Sequence, residues 1–194
     1  TSNFWAVGKA KANGANAVLL NGPQFNWFNP AYVYEVGLHG GGFNVVGNTP
    51  FAYPTILFGH NDRIGWGATA GVGDGVDIFA EQLHPTDSKR YRYNNAWRTM
   101  QTRVDRIRVK GQAEPLRLEV SRTVHGIVVQ SDPQARVAYA KARAWRGKEL
   151  QSLMAWTRST QAKNWSQWRN WAQQHALTIN WYYADRDGNI GYYH

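Results

Sequence analysis

The 194-residue sequence contains no cysteine. That absence excludes disulfides, thiolate nucleophiles, Cys-ligated zinc and iron–sulfur clusters. No apolar run approaches the ~18 residues that a membrane-spanning helix requires, and the mean hydropathy is −0.56. Acidic residues are few beside basic ones, 13 against 22, for a net charge of +9. Several signatures are missing as well: there is no Gly-x-Ser-x-Gly elbow and no His-Glu-x-x-His, and no Lys-Ser/Thr follows Gly40-Gly41-Gly42 to make a phosphate loop. Aromatics are plentiful, with 10 Trp and 10 Tyr, and a chain so rich in them has enough apolar surface to fold.

The positive charge is concentrated in residues 86–147, spread over alternating segments rather than gathered in a tail. Without a helix-turn-helix, zinc-finger or RRM signature, a solvated strand face explains it better than nucleic acid does. No nucleic-acid or membrane partner is expected. The opening carries no charged-then-apolar leader, and the chain stops inside the strand-like run Asn189–His194. Both ends read as cut, so the expectation is a single incomplete domain over residues 1–194, part of a longer polypeptide.

Short apolar or alternating runs punctuated by Gly, Asn and Pro predict strands. They lie at Phe4–Val7, Ala17–Leu20, Tyr32–Leu38, Val45–Val46, Ile56–Phe58, Ile64–Trp66 and Val76–Phe79. Tyr91–Tyr93, Trp97–Val109, Leu116–Val120 and Val137–Ala140 alternate as half-exposed antiparallel strands do. Helical spacing of Leu150, Leu153, Met154 and Thr157 predicts one helix over Glu149–Thr157. The spacing of Trp165, Trp168, Trp171 and Ala172 predicts a second over Lys163–His175, with Asn164 as its N-cap. Leu177–Ala184 and Asn189–His194 flank Asp185-Arg-Asp-Gly188 as a hairpin. Strands, then two helices, then a hairpin indicate an α+β layered fold.

With no Cys, covalent catalysis falls to Ser, Thr or Lys. A Ser that opens a chain carries its own base, because a free α-amine has a pKa near ~7.7–8.0. Ser2 is one residue from that position. Asp74-Gly-Val-Asp77 offers two carboxylates and a carbonyl to a hard cation such as Ca²⁺, and is equally ordinary turn chemistry.

A set of ordered motifs gives these residues a context. Thr1-Ser-Asn-Phe-Trp-Ala-Val-Gly-Lys9, Asn21-Gly-Pro-Gln-Phe25, Gly47-Asn-Thr-Pro-Phe51 and Phe58-Gly-His-Asn61 come first. Trp66-Gly-Ala-Thr-Ala-Gly71, Gly73-Asp-Gly-Val-Asp-Ile-Phe79, Arg122-Thr-Val-His-Gly126 and Asn180-Trp-Tyr-Tyr-Ala-Asp185 follow. Together they resemble the start of the β chain in the penicillin G acylase family of N-terminal-nucleophile hydrolases, over essentially the whole chain. The resemblance implies an αββα sandwich, here partial, and an amide hydrolase that works through an acyl-enzyme on an N-terminal Ser. It implies Ser2 as nucleophile, Ala70 as a backbone oxyanion donor and Gln24 as a hydrogen-bonding residue beside them. Phe25, Phe58, Trp156 and Ile179 would form the acyl pocket, and Asp74, the Val76 carbonyl and Asp77 part of a structural Ca²⁺ site. No organic cofactor is implied.

The same resemblance implies self-cleavage of a precursor, partnership with an α chain and with further β chain, and a periplasmic or secreted location. Its substrates would be penicillin-type or related N-acyl amides. Thr1 before Ser2 would then mark a junction to be cleaved, and activity is expected only after everything before Ser2 is lost. Ala68 stands where the family carries Ser, and Val72 where it carries a bulkier aromatic. Both departures leave room for other aryl or alkyl acyl groups, including those of acyl-homoserine lactones. A non-catalytic aromatic-rich binding module is the alternative outside this class.

Overall fold

The computed structural model describes residues 2–50 and 53–194; Thr1, Phe51 and Ala52 lie outside the described residues. Its first strands are β1 (Ser2–Val7), β2 (Val18–Pro23), β3 (Val33–Gly40), β4 (Phe43–Pro50), β5 (Phe58–His60), β6 (Ile64–Ala70) and β7 (Val76–His84). Then come β8 (Asp87–Tyr93), β9 (Ala96–Thr99), β10 (Gln101–Ile107), β11 (Leu116–Arg122), β12 (Ile127–Asp132) and β13 (Val137–Arg143). Helices α1 (Glu149–Ser159) and α2 (Trp165–Ala172) precede the last pair, β14 (Ile179–Asp185) and β15 (Ile190–Tyr193). The described chain divides into two compact units, one comprising Thr1–Gly73 with Gly147–His194, the other Asp74–Arg146.

The first unit is built on an antiparallel six-stranded sheet ordered β15-β14-β6-β5-β4-β3. Alternation along its central strands separates two faces. Ile64, Trp66 and Ala68 on β6, with Trp181 and Tyr183 on β14, join Trp156 of α1 and Trp168 and Ala172 of α2 in one core. Trp168 and Tyr183 are completely buried, so most of the tryptophan stripe of α2 is packing. Gly67, Thr69, Asn180 and Tyr182 face the other way, toward the β1–β2 hairpin. Phe4 of that hairpin stacks on Tyr182, with ring centroids 3.8 Å apart.

Polar side chains set the helix ends. The Asn164 carboxamide accepts from Gln167 N–H at 3.0 Å, as an N-cap should. The Asn61 Oδ1 accepts from Arg63 and Ile64 N–H, both at 2.8 Å. Its Nδ2 donates to the Thr160 and Ala162 carbonyls at 2.9 and 2.8 Å, ending α1 against the β5–β6 turn. Asp185 closes the last hairpin: burial opposes its charge, but bonds from Asn189, Tyr183 and Asp187 outweigh that and hold its pKa below the ordinary carboxylate value.

The second unit is an antiparallel sheet ordered β10-β11-β12-β13-β7-β8-β9. Trp97–Val109 reads as one strand in the sequence, but the structure bends it at Met100. Met100 N–H donates to the Lys89 carbonyl at 2.8 Å, after which the chain leaves β8 and pairs with β11. The first and last strands of the order are thus continuous in the chain, and the sheet curls on itself around Leu83, Tyr91, Met100 and Ala138. β12, with a bulge between Val128 and Gln130, lies outside the predicted strands.

One buried group makes the first unit acid-sensitive. His175 packs against the Trp156 and Trp181 rings, and neither ring nitrogen has a hydrogen-bond partner among the described residues. Burial lowers its pKa from 6.5 to about 4. Below pH 6.5 the unfolded chain takes a proton that the folded chain refuses, so the His175 contribution to stability falls as pH drops toward 4 and then levels. The total loss is about 3 kcal/mol. His175→Phe is expected to abolish that slope between pH 7 and 4, as read from denaturant midpoints; an unchanged slope would refute the assignment.

Candidate active site

The ladder between β6 and β14 fixes which backbone groups of β6 are available. Gly71 N–H donates to the Thr178 carbonyl at 3.1 Å, and Ala70 lies opposite Ile179. Antiparallel pairs alternate between hydrogen-bonded and non-hydrogen-bonded, so Gly71/Thr178 is bonded, Ala70/Ile179 is not, and Ala68/Trp181 is not. The N–H groups of Ala68 and Ala70 therefore point away from β14. On that side β5 ends its pairing at Gly59 opposite Trp66, leaving the rest of the β6 edge without a strand partner there.

The Asn21 carboxamide takes up the first open position. Ala68 N–H donates to Asn21 Oδ1 at 3.0 Å, and Asn21 Nδ2 donates to the Ala68 carbonyl at 3.2 Å. A side chain thus replaces the missing strand at Ala68, while the N–H of Ala70 is directed past it. The close approach requires glycine at 67, where a Cβ would lie 2.3 Å from Asn21 Oδ1 and 2.9 Å from Phe4 Cε2.

This contact also sets the position of Ser2. Leu19 lies at Gly65 and Asn21 at Gly67 and Ala68, so β2 runs alongside β6 in the same direction. Pro23, two residues beyond Asn21 on β2, is the cross-strand partner of Ser2. β1 agrees, because Phe4 sits at the level of Gly67 and Tyr182, two residues after Ser2. Ser2 is half-buried, whereas Gln24 and Ala70 are exposed.

The chain leaving β2 then passes from this polar edge to the apolar face. Phe25 stacks with Tyr32 at 4.6 Å and with Phe58 at 6.2 Å. Phe58, Trp156 and Ala68 are buried members of the helix-side core, and Phe25 and Ile179 pack against it. All four predicted acyl-pocket residues are therefore brought together, with Ala68 among them. Val72 is not part of that cluster. It is 89% exposed and holds φ at 54°, a conformation that β-branched residues rarely adopt. A cleft of about 470 Å³ on the β3–β4 face is lined by Tyr34, Val36, Leu38, Tyr53 and Ile56, of which Ile56 belongs to the same core and Val36 and Leu38 pack against it.

Asp74, Val76 and Asp77 open the second unit, all exposed. Gly75 between them is buried, its carbonyl accepting from Ala144 N–H at 2.9 Å. Two carboxylates and one carbonyl are hard oxygen donors suited to Ca²⁺, which takes six to eight. The set fits part of such a site. Asn21 and Asn180 carry no role in the motif reading. Their signal is that Asn is depleted in strands, yet both sit within one.

Comparison with known proteins follows the same line. A family model for penicillin amidase matches residues 1–194. Penicillin G acylase of Escherichia coli is 56% identical over 195 residues, covering 100% of this chain and 23% of that protein. Acyl-homoserine lactone acylase QuiP of Pseudomonas fluorescens (strain Pf0-1) is 27% identical over 136 residues, 70% of this chain and 16% of that protein. A solved thermostable penicillin G acylase from Alcaligenes faecalis, in orthorhombic form, superposes with a TM-score of 0.91 at 53% identity. That match covers 97% of this chain and 34% of the other. The chain spans under a quarter of the length of these two curated relatives. The α+β fold class, antiparallel sheets with two helices, agrees with the solved acylase.

Replacing Asn21 by Leu keeps the volume and removes both bonds to Ala68. Two unpaired backbone groups at ~1–3 kcal/mol each, softened by water at this edge, give an expected loss of about 2 kcal/mol. Chemical denaturation measures it, and a loss under half that size would show that the hairpin is held by other contacts.

Proposed function

This chain belongs to the penicillin amidase family, and we propose that the protein is an amide hydrolase of N-acyl amides with Ser2 as its nucleophile. The observation that supports the reading is the Asn21–Ala68 clamp, which ties the hairpin bearing Ser2 to the strand bearing Ala70, beside an apolar cluster. In the reaction, Ser2 Oγ attacks the acyl carbon while its own α-amine takes the hydroxyl proton. The carbonyl oxygen gains negative charge and is held by the N–H of Ala70, with Gln24 hydrogen-bonding nearby. The amine then delivers the proton to the leaving nitrogen, the C–N bond breaks, and an ester to Ser2 remains. Water attacks that ester by the same path reversed, releasing the acid and regenerating Ser2. An apolar acyl group lies among Phe25, Phe58, Trp156 and Ile179, which places its carbonyl at the polar edge.

The base in this scheme requires a free amine, so Ser2 acts only once its bond to Thr1 is cleaved. Ser2 Oγ attacking the Thr1 carbonyl, followed by ester hydrolysis, achieves this without a further enzyme. An α chain and further β chain from the same precursor complete the site, the further β chain supplying a second oxyanion donor beside Ala70. Export to the periplasm or medium belongs to the same reading. Ala68, buried in the acyl cluster, removes a polar wall group and favours acyl groups beyond phenylacetyl, in keeping with the similarity to acyl-homoserine lactone acylases.

Two experiments test the reading. The processed full-length enzyme is assayed on a chromogenic phenylacetyl anilide and on alkyl-acyl analogues, with intact mass fixing its N-terminus. Turnover is expected only from protein that begins at Ser2, and Ser2→Ala, which cannot cleave itself and is therefore assembled from separately expressed α and β chains, is expected to lose at least ~10⁴-fold in kcat while still binding substrate. Full activity with Thr1 attached, or in Ser2→Ala, would overturn it. In the second experiment, Ca²⁺ is expected to raise the Tm of the same protein by a few degrees relative to chelator. Asp74→Asn with Asp77→Asn is expected to remove that difference; a Tm shift that survives in the double variant would place the metal elsewhere.

A further inference from the structure

Asn180 is the most connected polar side chain beside the proposed oxyanion donor. Its Nδ2 donates to the Ala70 carbonyl at 3.1 Å and to Thr69 Oγ1 at 3.0 Å. Its Oδ1 accepts from the Tyr192 hydroxyl at 2.9 Å and pairs with His194 Nδ1 at 3.0 Å. All four hydrogen-bonding positions of the carboxamide are therefore in use, which fixes its orientation. His194 in turn lies over Gly71, where a Cβ would come within 2.8 Å of its Cε1. Thr69 Oγ1 is 3.4 Å from the Tyr182 hydroxyl, and Tyr182 carries the Phe4 ring of β1.

The consequence for Ala70 is specific. Ala70 is the last residue of β6, at a non-hydrogen-bonded position of the ladder, so its own N–H and carbonyl take no backbone bond from β14. Asn180 holds the peptide after it through the Ala70 carbonyl, and holds the residue before it through Thr69. The ladder turns the Ala70 N–H away from β14, and these two side-chain bonds restrain its aim further. We propose that Asn180 is a positioning residue that aims the Ala70 N–H at the tetrahedral oxyanion and links that aim, through Thr69, Tyr182 and Phe4, to the strand bearing Ser2. The inference rests on the reading of Ala70 as an oxyanion donor.

An oxyanion donor that is misdirected weakens the transition state and leaves substrate binding in the apolar cluster untouched. The test uses the processed full-length enzyme with Asn180→Ala and Asn180→Asp. Asn180→Ala is expected to lower kcat about 10- to 100-fold, below the ~10²–10³ for outright removal of a donor, with KM within twofold. Affinity for a substrate-derived aldehyde or boronate, which forms a tetrahedral adduct on Ser2, should fall by a similar factor. Affinity for the free acid product should not change. Asn180→Asp keeps the shape but, when ionised, cannot donate to Ala70 or Thr69; its kcat relative to the unsubstituted enzyme should rise as pH falls and the carboxyl regains a donor.

Equal weakening of adduct and product, a KM change matching that in kcat, or unaltered kinetics would each overturn the proposal. Should Asn180→Ala fail to fold, the isosteric Asp variant decides by its adduct affinity and pH dependence. Failure of the underlying reading is recognised separately, by absent turnover in the unsubstituted enzyme or by activity that survives Ser2→Ala.

Discussion

The Asn21 carboxamide closed on the backbone of Ala68 is the contact from which the rest of the site takes its geometry. β6 loses its strand partner on the β5 side beyond Trp66, and backbone groups left unpaired in a part-buried edge are costly. A carboxamide offers one donor and one acceptor with the spacing of a peptide group, so it satisfies Ala68 without extending the sheet. The hairpin is thereby pinned to β6 in a single register, and Gly67 leaves the space to do it. Ser2, Pro23, Gln24 and Phe25 take their positions from that pin. A slip of one residue would turn every hairpin side chain to the wrong face.

The site also depends on the two faces of β6 and β14 being unlike. Trp66, Ala68, Trp181 and Ile179 face the helices and make an apolar wall with Trp156 and Phe58. Thr69, Asn180 and Tyr182 face the hairpin and make a hydrogen-bonded layer. Ala70 stands where the wall, the layer and the open edge meet. A substrate with an apolar acyl group and a polar scissile amide needs this junction, because a wholly apolar pocket would strand the carbonyl and a wholly polar one would not hold the acyl group. The tryptophan excess of the sequence mostly builds the wall's support: Trp168 is completely buried behind it, and Trp165 and Tyr183 pack edge to face at 5.2 Å.

Much of the fold was legible from local pattern. The helices, the Asn164 cap and the last hairpin rest on spacing and turn chemistry within a few residues, and the structure places them there. The predicted strand at Ile56–Phe58 is displaced to Phe58–His60, because Ile56 and Leu57 are buried ahead of the ladder. The bend at Met100 was not legible, because alternation continues through it and the event is a change of partner strand. For the site, residue types and motif order named Ser2, Gln24, Ala70 and the four pocket residues. They did not reveal Asn21, which beside Gly22 looks like a turn, or Asn180, which lies in a strand-like run where no local pattern marks its partners. What makes each a clamp is a partner 47 or 110 residues away. The pocket residues posed the converse problem, since Phe58 and Trp156 are core by every local criterion and are core in the structure as well.

The use of carboxamides at each of these junctions has an electrostatic logic. Asn21 joins the hairpin to β6, Asn61 joins the β5–β6 turn to the end of α1, and Asn180 joins β14 to β6 and β15. Each meets a backbone carbonyl and a donor at once, which a carboxylate cannot do while ionised and a hydroxyl does with less geometric control. An Asp at 21 or 180 would also place a full charge beside the oxyanion position of the proposed mechanism, and it would oppose that charge. It would raise the pKa of a nearby α-amine as well, keeping more of the base protonated. The shifted pKa values of His175 in the helix-side core and of Asp185 in the last hairpin turn bear on stability instead. Neutral amides keep the same hydrogen bonds as pH changes, so in the proposed mechanism the frame stays fixed while the α-amine of Ser2 loses and regains a proton.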